Sequence, residues 1–453
     1  MIPKRRLFAR FLIGQNGRAG VNERMITQQS RRQFLARAGA AAAFTLAGPQ
    51  LLRGAESPGR MLRIAVMGVN GRGLAHIDGF LAQPNVEIAY VCDVDSRALA
   101  KAAKAVADKQ GKVPKTVADF RVALDDRSVD ALSVATPNHW HAPATILACA
   151  AGKHVYVEKP GSHNPREAEW MVAAAAKHQR LVQMGNQRRS WPWVQEAIAK
   201  VHSGEIGKVT FARTWYNNAR PSIGRGKTVP VPDWLNYERW QGPAPERPFK
   251  DNVVHYNWHW HWHWGNGELG NNGIHALDVA RWGLQVDHPK SVSSGGGRYQ
   301  FADDQETPDI YQTTYDFGTC GASWESMSHH PYGFENAQFG IAFYGDKGIQ
   351  IIAGNNYRIL DPNGKELFKF EGKWNDADHF GNFVRAIRDG EKLNSPIADG
   401  QKSTLLCHLG NIAWRTGKTL QLDPQNGQLR KQSDAGGLWE RDYRRGWRNE
   451  LVG

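Results

Sequence analysis

Leu62-Arg63-Ile64-Ala65-Val66-Met67-Gly68-Val69-Asn70-Gly71-Arg72-Gly73 decides how the rest of this chain is read. The first six residues form a short apolar run of the kind a buried parallel strand requires. It leads directly into a glycine turn and then a helical pattern that continues through Leu81. A strand, a glycine turn and a helix start bring backbone N–H groups and the positive end of a helix dipole to one point, where a pyrophosphate can bind. Gly68, Asn70, Gly71, Arg72 and Gly73 are therefore candidate cofactor-binding residues. Asn70 stands where GxGxxG has its second glycine; asparagine tolerates left-handed backbone angles, so the turn can still form.

A second strand, Val86–Cys92, ends in Asp93, 25 residues after Gly68. A carboxylate there accepts hydrogen bonds from both ribose hydroxyls and repels a 2′-phosphate, which favours NAD over NADP. The competing reading makes Asp93 the cap of a helix that begins near Ser96. Strand and helix then alternate: strand Asp130–Ala135, helix His141–Ala151, strand His154–Val157, helix Pro165–His178, strand Leu181–Met184. Such alternation predicts a doubly wound parallel sheet, whose ligands sit beyond the carboxyl ends of the strands. Thr136-Pro137-Asn138-His139-Trp140-His141, Glu158-Lys159-Pro160 and Gly185-Asn186-Gln187 occupy those ends. Thr136, Asn138, His141, Glu158 and Asn186 join the cofactor candidates.

The Gly68 turn, Asp93, Thr136-Pro137-Asn138 with His141, and Glu158-Lys159-Pro160 together resemble the Gfo/Idh/MocA oxidoreductase family. The resemblance implies an NAD(P)-dependent enzyme acting on sugars, polyols or their derivatives, with Lys159 in the active site. Elementary chemistry suits that role. A lysine where sheet, cofactor and substrate meet can hydrogen-bond a reacting hydroxyl and stabilise alkoxide character as hydride leaves the neighbouring carbon.

Tryptophan is unevenly placed: none of the 17 precedes Trp140, and 15 lie at or after Trp191. A domain junction is expected near Arg188. Beyond it, Gly207–Asn217, Ser291–Gln300, Ile310–Phe317, Ala322–Ser328, Ala337–Tyr344, Gly348–Ile352 and Tyr357–Leu360 read as strands. Helical patterns near Asp376–Arg388 and Gly400–Thr416 follow, predicting an α+β domain with one large, mostly antiparallel sheet. Such a sheet is a natural pairing surface, so a homo-oligomer is expected. The stretch Pro221–Pro248 reads as a long loop over the sheet, where lids and substrate contacts are common.

Asn257-Trp258-His259-Trp260-His261-Trp262-His263-Trp264 alternates with period two. Extended, it puts four Trp on one face and three His on the other. The Trp face either packs on the domain or forms a platform for sugar, with Trp260 and His261 as substrate candidates. No nearby carboxylate completes a metal set, so no metal is expected. Helical spacing next groups Asn271, His275 and Asp278 on one face. This segment resembles the family's Asp-x-Gly-x-His, with Asn271 in place of the Asp. The resemblance makes His275 the general acid/base, titrating near neutrality. An amide cannot take a proton, so Asn271 only orients substrate or His275, and Asp278 either holds the imidazole or bonds within the core.

The whole chain has 453 residues, 41% hydrophobic and 22% charged, which excludes a wholly disordered or fibrous protein. Its 57 Lys+Arg and 44 Asp+Glu leave a net charge of +13, which would suggest a polyanion partner. Met1–Arg60 alone carries +9 of it, leaving +4 on the body, so no nucleic-acid partner is expected. Four cysteines without CxxC spacing indicate neither a disulfide framework nor a zinc site. Ser30-Arg31-Arg32-Gln33-Phe34-Leu35 followed by the apolar run Ala38–Ala47 resembles a twin-arginine signal. The run is about half the ~20 residues needed to cross a bilayer, so no stable membrane anchor is expected. Thr45-Leu46-Ala47 fits a cleavage site loosely, and Met25 is a candidate start.

The expected organisation is a leader over 1–60, an NAD-binding domain over 61–188 and a substrate and oligomerisation domain over 189–453. The expected protein is periplasmic or otherwise exported by the twin-arginine machinery and transfers hydride between NAD and a carbohydrate. Two rivals remain open. One is a glycosidase that keeps NAD bound through an oxidation–elimination–reduction cycle; the other is a non-catalytic sugar-binding protein with structural NAD.

Overall fold

A computed structural model describes residues 59–430 and 433–452. The twin-arginine motif and its apolar run lie outside the described residues. Among the described residues no helix is long and apolar enough to cross a membrane.

Strands β1 (Leu62–Met67), β2 (Val86–Cys92), β3 (Lys115–Val117), β4 (Ala131–Val134), β5 (His154–Val157) and β6 (Val182–Met184) form one parallel sheet. Its order is β3-β2-β1-β4-β5-β6, with Leu62 opposite Val86 and Ile64 opposite Ala131. The order reverses between β1 and β4, which opens a crevice at their carboxyl ends. Ile64, Val66, Ile88 and Val91 pack beneath the helices Arg72–Leu81 and Ser96–Gln110, which explains the near-continuous apolar reading of these strands. The second helix is capped by Asp95, whose side chain accepts from Arg97 N and Ala98 N. Asp93 is thus not the cap. The helix after β4 runs Asn138–Ala150, starting a turn earlier than its sequence suggests. Asn138 to Ala142 are all buried there, so no polar face marks the start.

The second sheet has nine strands: β7 (Val209–Asn217), β8 (Ser291–Gly297), β9 (Ile310–Asp316), β10 (Gly321–Met327), β11 (Phe339–Gly345), β12 (Ile349–Ala353), β13 (Asn356–Leu360), β14 (Glu366–Glu371) and β15 (Leu420–Gln421). Their order is β14-β13-β12-β11-β7-β10-β9-β8-β15, and only β7–β10 pair in parallel. Buried and more exposed residues alternate along β9 and β10. The buried face meets the helices Ile274–Leu284 and Ile397–Thr416 through Leu277, Trp324, Phe343 and Leu406.

The helix Ala377–Asp389 docks back on the parallel sheet, where Phe380 and Phe383 join its core. Gly79 allows this approach, because a Cβ there would overlap the Phe380 ring. Buried His379 locks the joint: Nε2–H donates to the Met184 carbonyl (2.9 Å), and Nδ1 accepts from the Ser190 hydroxyl (2.6 Å). Burial pushes its pKa down to about 4. In the unfolded chain the imidazole binds a proton below about pH 6.5. The stability conferred by the neutral ring is therefore complete above that pH and is lost as the pH falls towards 4. At ~1.4 kcal/mol per unit, the loss is on the order of 3 kcal/mol. The melting temperature of His379→Gln should be lower at neutral pH and fall less steeply on acidification. Parallel pH profiles for variant and wild type would remove His379 as the source.

Candidate active site

A cavity of about 680 Å³ opens at the carboxyl ends of β1, β2, β4 and β5. Gly68, Asn70, Gly71, Arg72, Asp93, Thr136, Asn138, His141, Glu158, Lys159 and Asn271 all contribute to its wall. Gly68 has φ +83°, and a Cβ on it would stand 2.8 Å from the Ala135 carbonyl and Thr136 N. Only glycine fits both the angle and the approach. A Cβ on Gly73 would overlap the Gly68 carbonyl, so this glycine supports the turn from behind. The helix Arg72–Leu81 starts here with no side-chain cap, leaving its N-terminal amides for a ligand. Asp93 accepts from Val69 N (2.7 Å) and Asp95 N (3.0 Å), and burial raises its pKa. Two N–H bonds leave half the lone-pair capacity of the carboxylate for ribose hydroxyls. The Thr136 hydroxyl is buried without a partner. Glycine turn, uncapped amides, carboxylate and orphan hydroxyl fit a dinucleotide.

The rest of the wall was not legible in sequence. Phe120, Arg121 and Trp447 stand beyond Asp119, with the Arg121 guanidinium 5.0 Å from the Trp447 ring. Glu238 to Trp240, from the expected loop over the sheet, also border the cavity. His255 Nε2 meets Asp95 Oδ2 at 2.8 Å and ties the following segment to the parallel sheet.

At the inner end, Glu158 Oε1 accepts from Arg72 Nε (2.7 Å), Gln187 Nε2 (2.9 Å) and His76 Nε2 (3.1 Å). Burial pushes its pKa up, but Arg72 and His76 outweigh that and hold it well below the usual carboxylate range. Arg72 also reaches Asp376 at 3.0 Å. Glu158 is thus a fixed anion that anchors the glycine turn through Arg72. Lys159 Nζ donates to Asn271 O (2.8 Å) and Asn271 Oδ1 (3.3 Å). Burial lowers its pKa, only partly countered by Glu158. His141, between the Thr136 and Pro160 carbonyls (2.8 and 2.6 Å), joins the two strand-end loops.

A second cavity, of about 1040 Å³, shares Arg72, Glu158 and Lys159 with the first and is bordered by His275. Burial, reinforced by Lys159 and Arg188, holds His275 well below the ordinary histidine pKa. The expectation that it titrates near neutrality is corrected: the ring is neutral there, with one nitrogen able to accept a proton and the other an N–H donor.

Asn271 lies in a π-helical turn, Leu269–Gly273, that enters the helix Ile274–Leu284. It positions Lys159 rather than His275. Asp278 borders neither cavity; its carboxylate takes two bonds from Arg189 (2.8 and 2.9 Å) and one from Ser403 (2.7 Å). Of the two roles expected for Asp278, the bonds within the core are the ones it makes, while Asn271 precedes the regular helix in the wider turn. Asn186 is buried outside both walls, in the turn that leads to Gln187–Ser190.

The Trp/His alternation is not extended. Asn257–Trp260 forms a 3₁₀ turn, and His261 O accepts from Gly265 N (2.8 Å). Turns disperse the indoles: Trp258 and Trp264 pack with Tyr237 and Trp240, while Trp260 lies 4.7 Å beneath the Arg220 guanidinium. The imidazoles part as well, His259 to the Tyr256 carbonyl, His261 towards Glu306 and His263 to the Pro245 carbonyl. Trp260 and His261 border neither cavity; Trp258 and His259, stacked at 3.6 Å, border the first.

Residues 62–186 match the Gfo/Idh/MocA oxidoreductase family, NAD-binding Rossmann fold, and residues 203–319 match its C-terminal alpha/beta domain. A glycosyl hydrolase family 109 protein of Saccharopolyspora erythraea is 33% identical over 178 residues, which are 38% of this chain and 39% of that protein. The chain thus matches about two fifths of the length of this curated relative. The aldose-aldose oxidoreductase of Caulobacter crescentus has a TM-score of 0.63 at 21% identity, over 80% of this chain and 100% of that one. A levoglucosan dehydrogenase has a TM-score of 0.63 at 18% identity, over 80% and 99%. At these identities the likeness is one of fold. With the two matched segments spanning more than half of its length, the chain belongs to the Gfo/Idh/MocA oxidoreductase family.

Proposed function

We propose that the protein is an NAD-dependent oxidoreductase that transfers hydride between the nicotinamide and a carbinol carbon of a sugar, polyol or sugar derivative. The observation that carries this reading is Lys159, which borders both cavities with its ammonium held by Asn271. Bound NAD supplies the hydride acceptor, held by the Gly68 turn and Asp93. The Lys159 ammonium donates to the substrate hydroxyl oxygen and stabilises negative charge as hydride departs. The neutral His275 imidazole accepts the hydroxyl proton. Glu158 stays ionised and keeps Arg72 and the turn in place.

The relative named as a glycosyl hydrolase family 109 protein favours a second reading, in which oxidation is followed by aglycone elimination and re-reduction. One experiment separates the readings: sugars and glycosides deuterated at each carbinol carbon, incubated with protein and NAD. Deuterium in NADH supports the first. Aglycone release with no net NADH supports the second. No transfer of deuterium from any substrate that binds would leave a non-catalytic sugar-binding protein.

The leader reading supports export by the twin-arginine route to the periplasm, which fractionation of expressing cells measures directly. Phe211, Met327 and Tyr332, exposed on or beside the nine-stranded sheet, support a homo-oligomer, for which sedimentation of the native protein is the measurement.

A further inference from the structure

Arg188 and Arg189 are neighbours in the 3₁₀ turn Gln187–Ser190, and both are buried. Their surroundings differ. Arg189 is matched by Asp278 and Asp399, at 2.8 and 3.2 Å. Among the described residues no hydrogen bond or carboxylate reaches the Arg188 guanidinium, and its Nη1 is buried without a partner. Instead it lies against three rings, with its Cζ 4.2 Å from the centre of Phe339, 4.7 Å from Trp191 and 5.5 Å from Trp374. Ring faces attract a cation, but they offset only part of what dehydrating it costs. Burial lowers its pKa to about 10, so the group is still a cation at neutral pH.

Arg188 borders the larger cavity together with Lys159 and His275. Lys159 donates to Asn271 there and, among the described residues, meets no carboxylate, which leaves its charge for the reacting group, while the remaining charges are matched. Arg72 holds Glu158 and Asp376, Arg358 meets Glu335 (2.7 Å) and Glu366 (3.6 Å), and Lys369 meets Glu371 (2.7 Å). Asp376, the acid whose charge acts on Arg188, is thus engaged elsewhere. A guanidinium fork kept unmatched in a substrate-sized cavity suits a planar carboxylate or a phosphate, which it can bind through two parallel bonds.

We propose that Arg188 binds an anionic oxygen group, carboxylate or phosphate, on the sugar that reacts at Lys159. The substrate is then an acidic sugar rather than a neutral one. This rests on the reading of the larger cavity as the substrate site, yet it is tested by binding and not by turnover. Calorimetry of the NAD-loaded protein with D-glucuronate, glucose 6-phosphate and glucose is the experiment. At least one acidic sugar should bind at least about tenfold tighter than glucose. The tighter of the two identifies the group as carboxylate or phosphate.

In Arg188→Gln that preference should vanish while NAD still binds; Arg188→Lys, which keeps the charge without the fork, should retain part of it. A purely structural arginine would change the melting temperature and leave the preference intact. Should Arg188→Gln not fold, the wild-type preference and its weakening in Arg188→Lys remain decisive. Equal binding of all three sugars, binding of none, or a preference that survives either substitution undiminished overturns the proposal. Lys159→Ala should keep the preference even if it abolishes turnover, so failure of the hydride-transfer reading is seen separately.

Discussion

Replacing Lys159 by alanine is expected to lower turnover about 10³-fold while NAD binding is retained. Removing one donor that stabilises a developing oxyanion costs ~10²–10³, and losing positioned proton handling costs ~10²–10⁴. Lys159 combines a charge with position: its ammonium faces Asn271 at 2.8 Å and borders both cavities. The groups that fit NAD are elsewhere, in the Gly68 turn and Asp93, so calorimetry should show cofactor affinity little changed. Turnover unaltered in this variant would sink the active-site assignment.

The same arrangement sets the pH profile. In the proposed reaction His275 accepts a proton, which requires a neutral ring; its pKa lies well below 6.5, so the acid limb of kcat is expected well below that value. The polarising role proposed for Lys159 requires its charged form, and its lowered pKa is expected to bring the alkaline limb below 10.5. A broad plateau across neutrality follows, in place of an optimum centred on an ordinary histidine pKa. An acid limb near pH 6.5 would count against His275 as the acceptor.

The second large effect is on stability. Asp278→Ala should cost about 3–5 kcal/mol in denaturant unfolding, the range for breaking a buried ion pair by removing one partner. Asp278 is 1% exposed and takes three hydrogen bonds, two from Arg189 and one from Ser403. Asp399, 3.2 Å from Arg189 but about a third exposed, compensates only in part. Most of the loss comes from the guanidinium left in the core, so Asp278→Ala with Arg189→Met should recover much of it. A double variant less stable than Asp278→Ala would locate the cost in lost packing. Because Asp278 borders neither cavity, folded variant should keep its NAD affinity.

The first half of the chain was legible because its physics is local. Strands buried on both faces must be apolar throughout, and a phosphate-binding turn must use glycine where a Cβ would collide. β1, β2 and β5 accordingly have the bounds their sequences suggest. The second sheet was legible wherever one face is buried, as in β9. β14 escaped notice because Glu366-Leu367-Phe368-Lys369-Phe370-Glu371 is an edge strand with little burial, and so carries no pattern to read. The helix Pro192–His202 was also missed, hidden in a Trp-rich stretch that reads as a junction.

The Trp/His alternation shows the opposite failure. A pattern was present, but period two has meaning only in an extended chain, and local turns held by backbone bonds to His261 removed that condition. Likewise Asn271 was found, but its place in a π turn and its bonds to Lys159 came only with the structure.

By itself, the sequence determined the parallel sheet, its glycine turn and the residues at its strand ends, including Lys159, because each depends on neighbours a few positions away. Tertiary structure alone decided what charge those residues carry and whom they face. Glu158 is ionised because Arg72 and His76 arrive from another helix, His275 is neutral because burial and two cations meet there, and Arg188 lacks the partner Arg189 has. Burial and long-range electrostatics depend on groups brought together from distant parts of the chain, and no local pattern records them.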